Sequence, residues 1–200
     1  TGISPQGDDR VFNYLEFPVF IEETTDNSLG RPIFMVDTDF TTETAVQHLA
    51  GQQTLTFQSE RSDLEGFEMI YEAGSARFAD GTNRGNITIT RIPADRIPDR
   101  LPSGAIPHFM LEIGPDALSF SSPVSLRFPD VYDLQKGDEV IVFHFKHGLA
   151  DYKEIARLTL GEELDIFVED AISESGFVGY VPVGGDYDYT RAYLEGRVVD

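Results

Sequence analysis

The sequence predicts an all-β protein, an antiparallel β-sandwich with at most one short helix, and three observations predict it. Residues 118–128, Leu-Ser-Phe-Ser-Ser-Pro-Val-Ser-Leu-Arg-Phe, place Leu118, Phe120, Val124, Leu126 and Phe128 at even positions, with Ser119, Ser121, Ser125 and Arg127 between them. That period of two makes one face core and the other wet. Short apolar runs of the same kind recur along the chain with Gly, Pro and Asp turn residues between them. Residues 139–146, Glu-Val-Ile-Val-Phe-His-Phe-Lys, are apolar on both faces for most of their length, as a strand in the middle of a sandwich must be.

The elements follow in order. Leu15, Phe17, Val19 and Ile21 alternate with Glu16, Pro18 and Phe20 and predict a first strand. A helix is expected over 42–50, with a cap at Thr41 or Thr42 and Gly51 as its stop. Leu55 and Phe57 alternate with Thr54, Thr56 and Gln58; Phe67, Met69 and Tyr71 share a face, and Ala76 and Phe78 follow. Residues 80–85 read as a turn into the β-branched run 86–92, a strong strand signal. Pro93, Pro98, Pro102 and Pro107 make 93–108 an extended crossing loop. Residues 109–113 form a strand that ends at the turn Gly114-Pro115-Asp116. Within 118–128, Pro123 lacks a backbone N–H, so the run must bend, bulge or lie at a sheet edge. Residues 155–160, 164–168 and 177–183 continue the pattern, with Gly176 and Gly179 permitting close backbone approach.

Composition narrows the function. With 40% hydrophobic residues, including 15 Phe and 8 Tyr, 200 residues are enough for one sizeable core or two small ones. The formal charge of −20 comes from 35 acids against 15 bases, of which only Lys136, Lys146 and Lys153 are lysines. Nucleic acid and anionic membranes are poor partners for such a surface, which reads as strongly solvated, as in a salty habitat. Divalent-cation binding by acidic clusters is the sharper alternative. Absence of cysteine excludes disulfides, thiolate metal sites and cysteine nucleophiles. No apolar stretch reaches the roughly 18–20 residues of a membrane span, so no membrane insertion is expected. Residues 1–10 lack the basic and then apolar regions of a signal peptide and read as a linker.

One resemblance covers roughly residues 66–183. Gly66-Phe-Glu-Met-Ile-Tyr-Glu-Ala-Gly-Ser-Ala-Arg-Phe-Ala-Asp-Gly81, Gly85-Asn-Ile-Thr-Ile-Thr90, Ile106-Pro-His-Phe-Met-Leu-Glu-Ile-Gly-Pro-Asp116 and Phe120-Ser-Ser-Pro-Val-Ser-Leu-Arg-Phe-Pro129, with Lys136-Gly-Asp-Glu-Val140 and Phe143-His-Phe-Lys-His-Gly148, carry it. Together they resemble a bacterial extracellular β-sandwich module, distantly similar to the ZU-five-type domains of zonula-occludens, netrin-receptor and ankyrin proteins. Phe17-Pro-Val-Phe-Ile-Glu-Glu and Asn27-Ser-Leu-Gly-Arg-Pro-Ile-Phe-Met look like the join to a preceding transthyretin-like (carboxypeptidase-regulatory-like) module, and Leu194-Glu-Gly-Arg-Val-Val-Asp200 is similar to the first strand of another. The resemblance implies a spacer, scaffold or adhesive role in a secreted or surface-displayed bacterial protein. Some ZU-five-type relatives cleave themselves at His-Phe-Ser; here His108-Phe109-Met110 and His144-Phe145-Lys146 lack the serine, and no autoproteolysis is expected. The expected organisation is a linker at 1–10, an N-terminal β segment at 11–65 packing on the main sandwich, the sandwich at 66–190, and a linker or first strand of a following module at 191–200.

Chemistry is sparse. Asp37 with Asp39, Asp186 with Asp188, and Glu162, Glu163 and Asp165 could each offer two or three oxygens to calcium; solvated loop acids are the plainer reading. Asp37, Asp39, Asp186 and Asp188 are the metal candidates. His144 and His147 lie three apart in a strand and its turn, so alternation turns them to opposite faces and favours a structural role over a shared metal; His48 and His108 have no ligand spacing to join them. Val36-Asp-Thr-Asp-Phe40 has Asp39 where an aspartic-protease strand needs glycine, and no second copy exists. Gly-x-Ser-x-Gly, phosphate-loop and dinucleotide patterns are absent. Asn86-Ile-Thr88 matches a glycosylation acceptor but falls in a strand. Trp is absent, so glycan stacking would fall to Tyr or Phe; Tyr187, Tyr189 and Tyr193 are the candidates, the alternative being a boundary segment packed on its neighbour.

The leading expectation is thus a non-catalytic module that spaces neighbouring domains of the same polypeptide, with no cofactor and at most weak calcium binding. A second reading is an adhesion or glycan-binding module whose partners are glycans or surface proteins. A third is a metal-assisted hydrolase using clustered carboxylates and His144.

Overall fold

The computed structural model describes residues 2–3, 11–12, 35–59, 61–97, 107, 109–145 and 152–184. A small antiparallel pair, β1 (Gly2–Ile3) and β2 (Val11–Phe12), is tied to the rest where the Thr38 amide donates to the Val11 carbonyl at 2.9 Å. Two antiparallel sheets then pack face to face. The strands are β3 (Thr44–Ala45), β4 (Gln52–Thr56), β5 (Glu68–Glu72), β6 (Ala76–Arg77), β7 (Asn86–Arg91), β8 (Phe109–Gly114), β9 (Ser119–Phe128), β10 (Glu139–Phe145), β11 (Tyr152–Thr159), β12 (Ile166–Glu174) and β13 (Gly176–Pro182). One sheet runs β11-β10-β13-β8-β7-β3; the other runs β12-β9-β5-β4, with β6 also paired to β9. The expected all-β sandwich is the observed fold. Among the described residues no helix is long and apolar enough to cross a membrane.

Alternation assigns the faces. Phe109, Leu111 and Ile113 on β8 meet Phe120, Val124, Leu126 and Phe128 on β9 in the core between the sheets. The six-stranded sheet is apolar on its outer face too, where Met110, Phe143, Phe145, Tyr152, Phe177 and Val181 form a second cluster with Ile92. That second layer accounts for the pattern of β10, whose Val140 and Val142 enter one cluster while Phe143 and Phe145 enter the other. As expected, β10 lies between two partners, β11 and β13.

Pro123 lies inside β9 and not at an edge, at an irregularity in the pairing of β9 with β12, which is the bulge that the sequence allowed. It sits between the residues that pair with β5, up to Ser125, and those that pair with β6, up to Phe120. On the other side β12 pairs at Val124 and next at Ser119. The absent N–H thus falls where neither neighbour offers a ladder bond. Ser125 corrects the simple reading of a wet serine face. It is 6% exposed, and its hydroxyl accepts from the Asp170 amide at 3.1 Å. Asp170 has φ +51° and lies where β12 bulges away from β9 between Val168 and Ile172; the serine takes over a donor that the bulge removes from the ladder.

The helix expected over 42–50 does not form. A 3-10 turn, Phe40–Thr42, leads instead into β3 and an extended approach to Gly51, whose φ of +85° turns the chain into β4. The reason is tertiary. The Thr42 hydroxyl, fully buried, accepts from the Ile89 amide (2.9 Å) and reaches the Ile89 carbonyl (2.8 Å), and Thr44 pairs with Ile87. Pairing with β7 satisfies groups that a helix would have left open. In the 93–108 segment, Pro93 starts a 3-10 turn at Ala94–Arg96. The strand expected over 15–21 and the final strand at 193–200 lie outside the described residues.

Candidate functional site

Asp39 has a local structural task. Its Oδ1 accepts from the Thr41 amide (3.0 Å) and hydroxyl (2.5 Å), capping the 3-10 turn, while its own amide donates to the Thr90 hydroxyl at 3.0 Å. Asp37 lies two residues before it on exposed chain. Among the described residues no group of three or more His, Asp and Glu side chains is placed to hold a metal. Asp186, Asp188, Tyr187, Tyr189 and Tyr193 lie outside the described residues.

Of the acids at 162–165, Glu162 and Asp165 pair with basic side chains. Glu162 pairs with Lys136, and Asp165 accepts from Arg127 Nε at 3.0 Å, with Arg127 Nη1 also donating to Glu68 at 2.6 Å. His144 is buried, 3% exposed, on β10 opposite Lys153, whereas the 160–165 connection starts beside Glu139. Five residues of extended chain, about 17 Å, separate the two ends. Among the described residues, His144 and the acids at 162–165 are therefore not brought together. His144 packs against Gly176, where an added Cβ would come within 2.7 Å of Nε2; the glycine there has φ +152°.

A second ion cluster assembles between the end of β4 and the start of β5. A 3-10 turn, Ser62–Leu64, is anchored by buried Leu64 and presents Asp63. Arg61 donates to both Asp63 oxygens, from Nε at 3.0 Å and Nη2 at 2.9 Å, and Arg91 Nε reaches Oδ2 at 3.0 Å. Arg91 also donates through Nη1 to the carbonyls of Ile92 (2.7 Å) and Met110 (3.0 Å), and its guanidinium lies 4.7 Å from the centroid of the Phe109 ring. Burial lowers the Arg91 pKa, and the Asp63 charge opposes that shift. For Asp63, burial acts to raise the carboxyl, but the hydrogen bond and charge of Arg61 and the charge of Arg91 outweigh it and hold it below the usual range.

Beside this cluster Phe57, Gln58, Ser59, Arg61, Ser62 and Glu65 line an open cleft of about 420 Å³. An aromatic wall, an arginine, a glutamate, an amide and two hydroxyls form a surface suited to polar, hydrogen-bonding ligands. Sequence reasoning singled out none of these residues. The local signal was Arg61 two residues from Asp63; the third member, Arg91, is 28 residues from Asp63 and only the fold joins them.

No protein-family model matches the chain, and comparison with curated proteins and with solved structures returns no match.

Proposed function

We propose that the chain is a non-catalytic structural module of a large secreted or surface-displayed bacterial protein and holds its neighbours in the polypeptide at fixed spacing. The observation that carries this reading is where the buried polar side chains go. Tyr180, on the six-stranded sheet, donates to the Pro129 carbonyl (2.7 Å) and accepts from the Val131 amide (2.9 Å), just past the end of β9 in the other sheet. Tyr71, on the five-stranded sheet, accepts from the Gln47 amide at 2.7 Å, just past β3. Each sheet sends a tyrosine hydroxyl to the margin of the other, and Thr42 and Arg91 likewise join segments distant in sequence. Polar groups committed in this way stiffen a frame.

The test is to replace residues 35–184 in the parent polypeptide by a flexible Gly/Ser linker of equal length. The distance distribution between labels on the flanking modules should broaden while ligand binding by those modules persists. Loss of a turnover or of a specific ligand along with the module would refute the spacer reading.

A second reading, adhesion to glycans, is favoured by the Phe57 cleft. Glycan-array binding that disappears in a Tyr187→Ala/Tyr189→Ala variant would support the tyrosines as the platform, whereas loss in Phe57→Ala would move it to the cleft.

A further inference from the structure

Among the described residues the sandwich has four sheet edges, and three are guarded. β3 is two residues long, and beside it the Thr42 hydroxyl occupies the backbone groups of Ile89. β11 carries Lys153, Glu154 and Arg157. β12 carries Glu169, Asp170 and Glu174 and is broken by the bulge at Asp170. Charges, bulges and short length are the usual means of keeping an edge from pairing with another chain.

β4 has none of them. Gln52-Gln53-Thr54-Leu55-Thr56 is uncharged, lacks proline, and pairs with β5 in unbroken register over all five residues. Leu55 is buried, Gln53 is half-buried with its side-chain amide donating to the Gln52 carbonyl at 3.0 Å, and Gln52, Thr54 and Thr56 are exposed, so the outward backbone groups of Thr54 and Thr56 are the ones left for a partner. Leu49, 69% exposed, precedes the strand, and the Phe57 cleft follows directly at its other end.

We propose that β4 is a docking edge for an extended, basic segment of a different polypeptide, which adds antiparallel as a further strand of the five-stranded sheet. Main-chain hydrogen bonds along β4 would supply affinity, and alternate side chains specificity. Charge selects the occupant. The chain carries −20, Glu72 lies opposite Gln52 on β5, and Glu65 lines the cleft. A second copy would bring the same acidic margin and its own −20, which opposes self-pairing. Lys or Arg on the outward face of the incoming strand meets Glu72, and one at the cleft end can stack on Phe57 beside Glu65. This inference does not depend on the spacer reading.

The probe is a capped nine-residue peptide alternating valine and lysine, titrated into the isotope-labelled chain and followed by amide NMR and hydrogen exchange. The expected result is slowed exchange at residues 52–56, shifts at 57–65, and binding about tenfold weaker for the same peptide N-methylated at alternate amides, which keeps its charge but loses main-chain bonds. A Gln52→Lys/Thr54→Lys/Thr56→Lys variant should keep its melting temperature and lose the protection. Equal binding of the methylated peptide, or perturbation away from β4, would overturn the proposal. So would a dimer paired through β4 in sedimentation without peptide, since the occupant would then be a second copy.

Discussion

The Tyr180 hydroxyl donates to the carbonyl of Pro129 at 2.7 Å from the opposite sheet, while its ring packs 5.5 Å from Phe109 and 5.8 Å from Phe128. One side chain thus fills the core and fixes where the chain leaves β9. Burial pushes its hydroxyl above the ordinary phenol range. Tyr180→Phe keeps the ring and leaves the Val131 amide and Pro129 carbonyl without that partner. The expected loss is about 1–3 kcal/mol of unfolding free energy, read by urea denaturation. An unchanged midpoint would mean that water replaces the hydroxyl at no cost.

Thr42 offers a sharper contrast, because Thr42→Ser keeps the hydroxyl and Thr42→Val keeps the shape. The valine variant should lose about 1–3 kcal/mol and speed amide exchange at Ile89, with the serine variant closer to the parent. Equal behaviour of the two variants would assign the effect to packing.

Gly179 stands where an added Cβ would strike the Phe109 carbonyl and come within 2.9 Å of the Phe143 ring, whereas Gly161 has nothing near it. Gly179→Ala should cost about 1–3 kcal/mol or more, and Gly161→Ala should stay within about 0.5 kcal/mol of the parent. Thermal melting of the pair checks this, and equal melting temperatures would contradict the close approach of β13 to β8.

Two carboxyls bend the pH dependence in opposite directions. Glu112, 3% exposed on β8, is pushed well above the usual carboxylate range, by burial first and by the Asp116 charge second. The folded chain therefore holds that proton more tightly than the unfolded one. Its contribution is full below the unfolded value of about 4.3 and is lost as pH rises through the folded value. Asp63 is held low, so its contribution is present above the unfolded value of about 3.9 and is lost as pH falls through the lower folded one. Glu112→Gln should flatten the fall in stability above about pH 4.3, and Asp63→Asn should flatten the fall on the acid side, both measured by denaturation across a pH series. A Glu112→Gln curve parallel to the parent's on the neutral side would remove Glu112 from the account.

The strand pattern was readable wherever one face is core. The even apolar residues of 118–128 are buried as their period demands, and the two-faced run forms β10 over Glu139–Phe145, flanked by strands on both sides. Local propensity misled at 42–50, where the signals of a cap and a stop were real but the Thr42 hydroxyl and the pairing of Thr44 with Ile87 drew the chain into the sheet. The serines of β9 look alike in sequence, yet Ser119 and Ser121 are exposed and Ser125 is buried, its hydroxyl accepting from the Asp170 amide where β12 bulges away from β9.

By itself the sequence determined the all-β class, the inward residues of most strands and the tight approach at Gly176 and Gly179, because these follow from a period of two and from the size of a side chain. The tertiary structure alone decided that Arg91 joins Asp63, that His144 lies far along β10 from the acids at 162–165, and that β4 is an edge strand without a further partner strand among the described residues. Those are relations between segments brought together by strand order, and strand order is set by the burial of whole faces against each other, which no local pattern encodes.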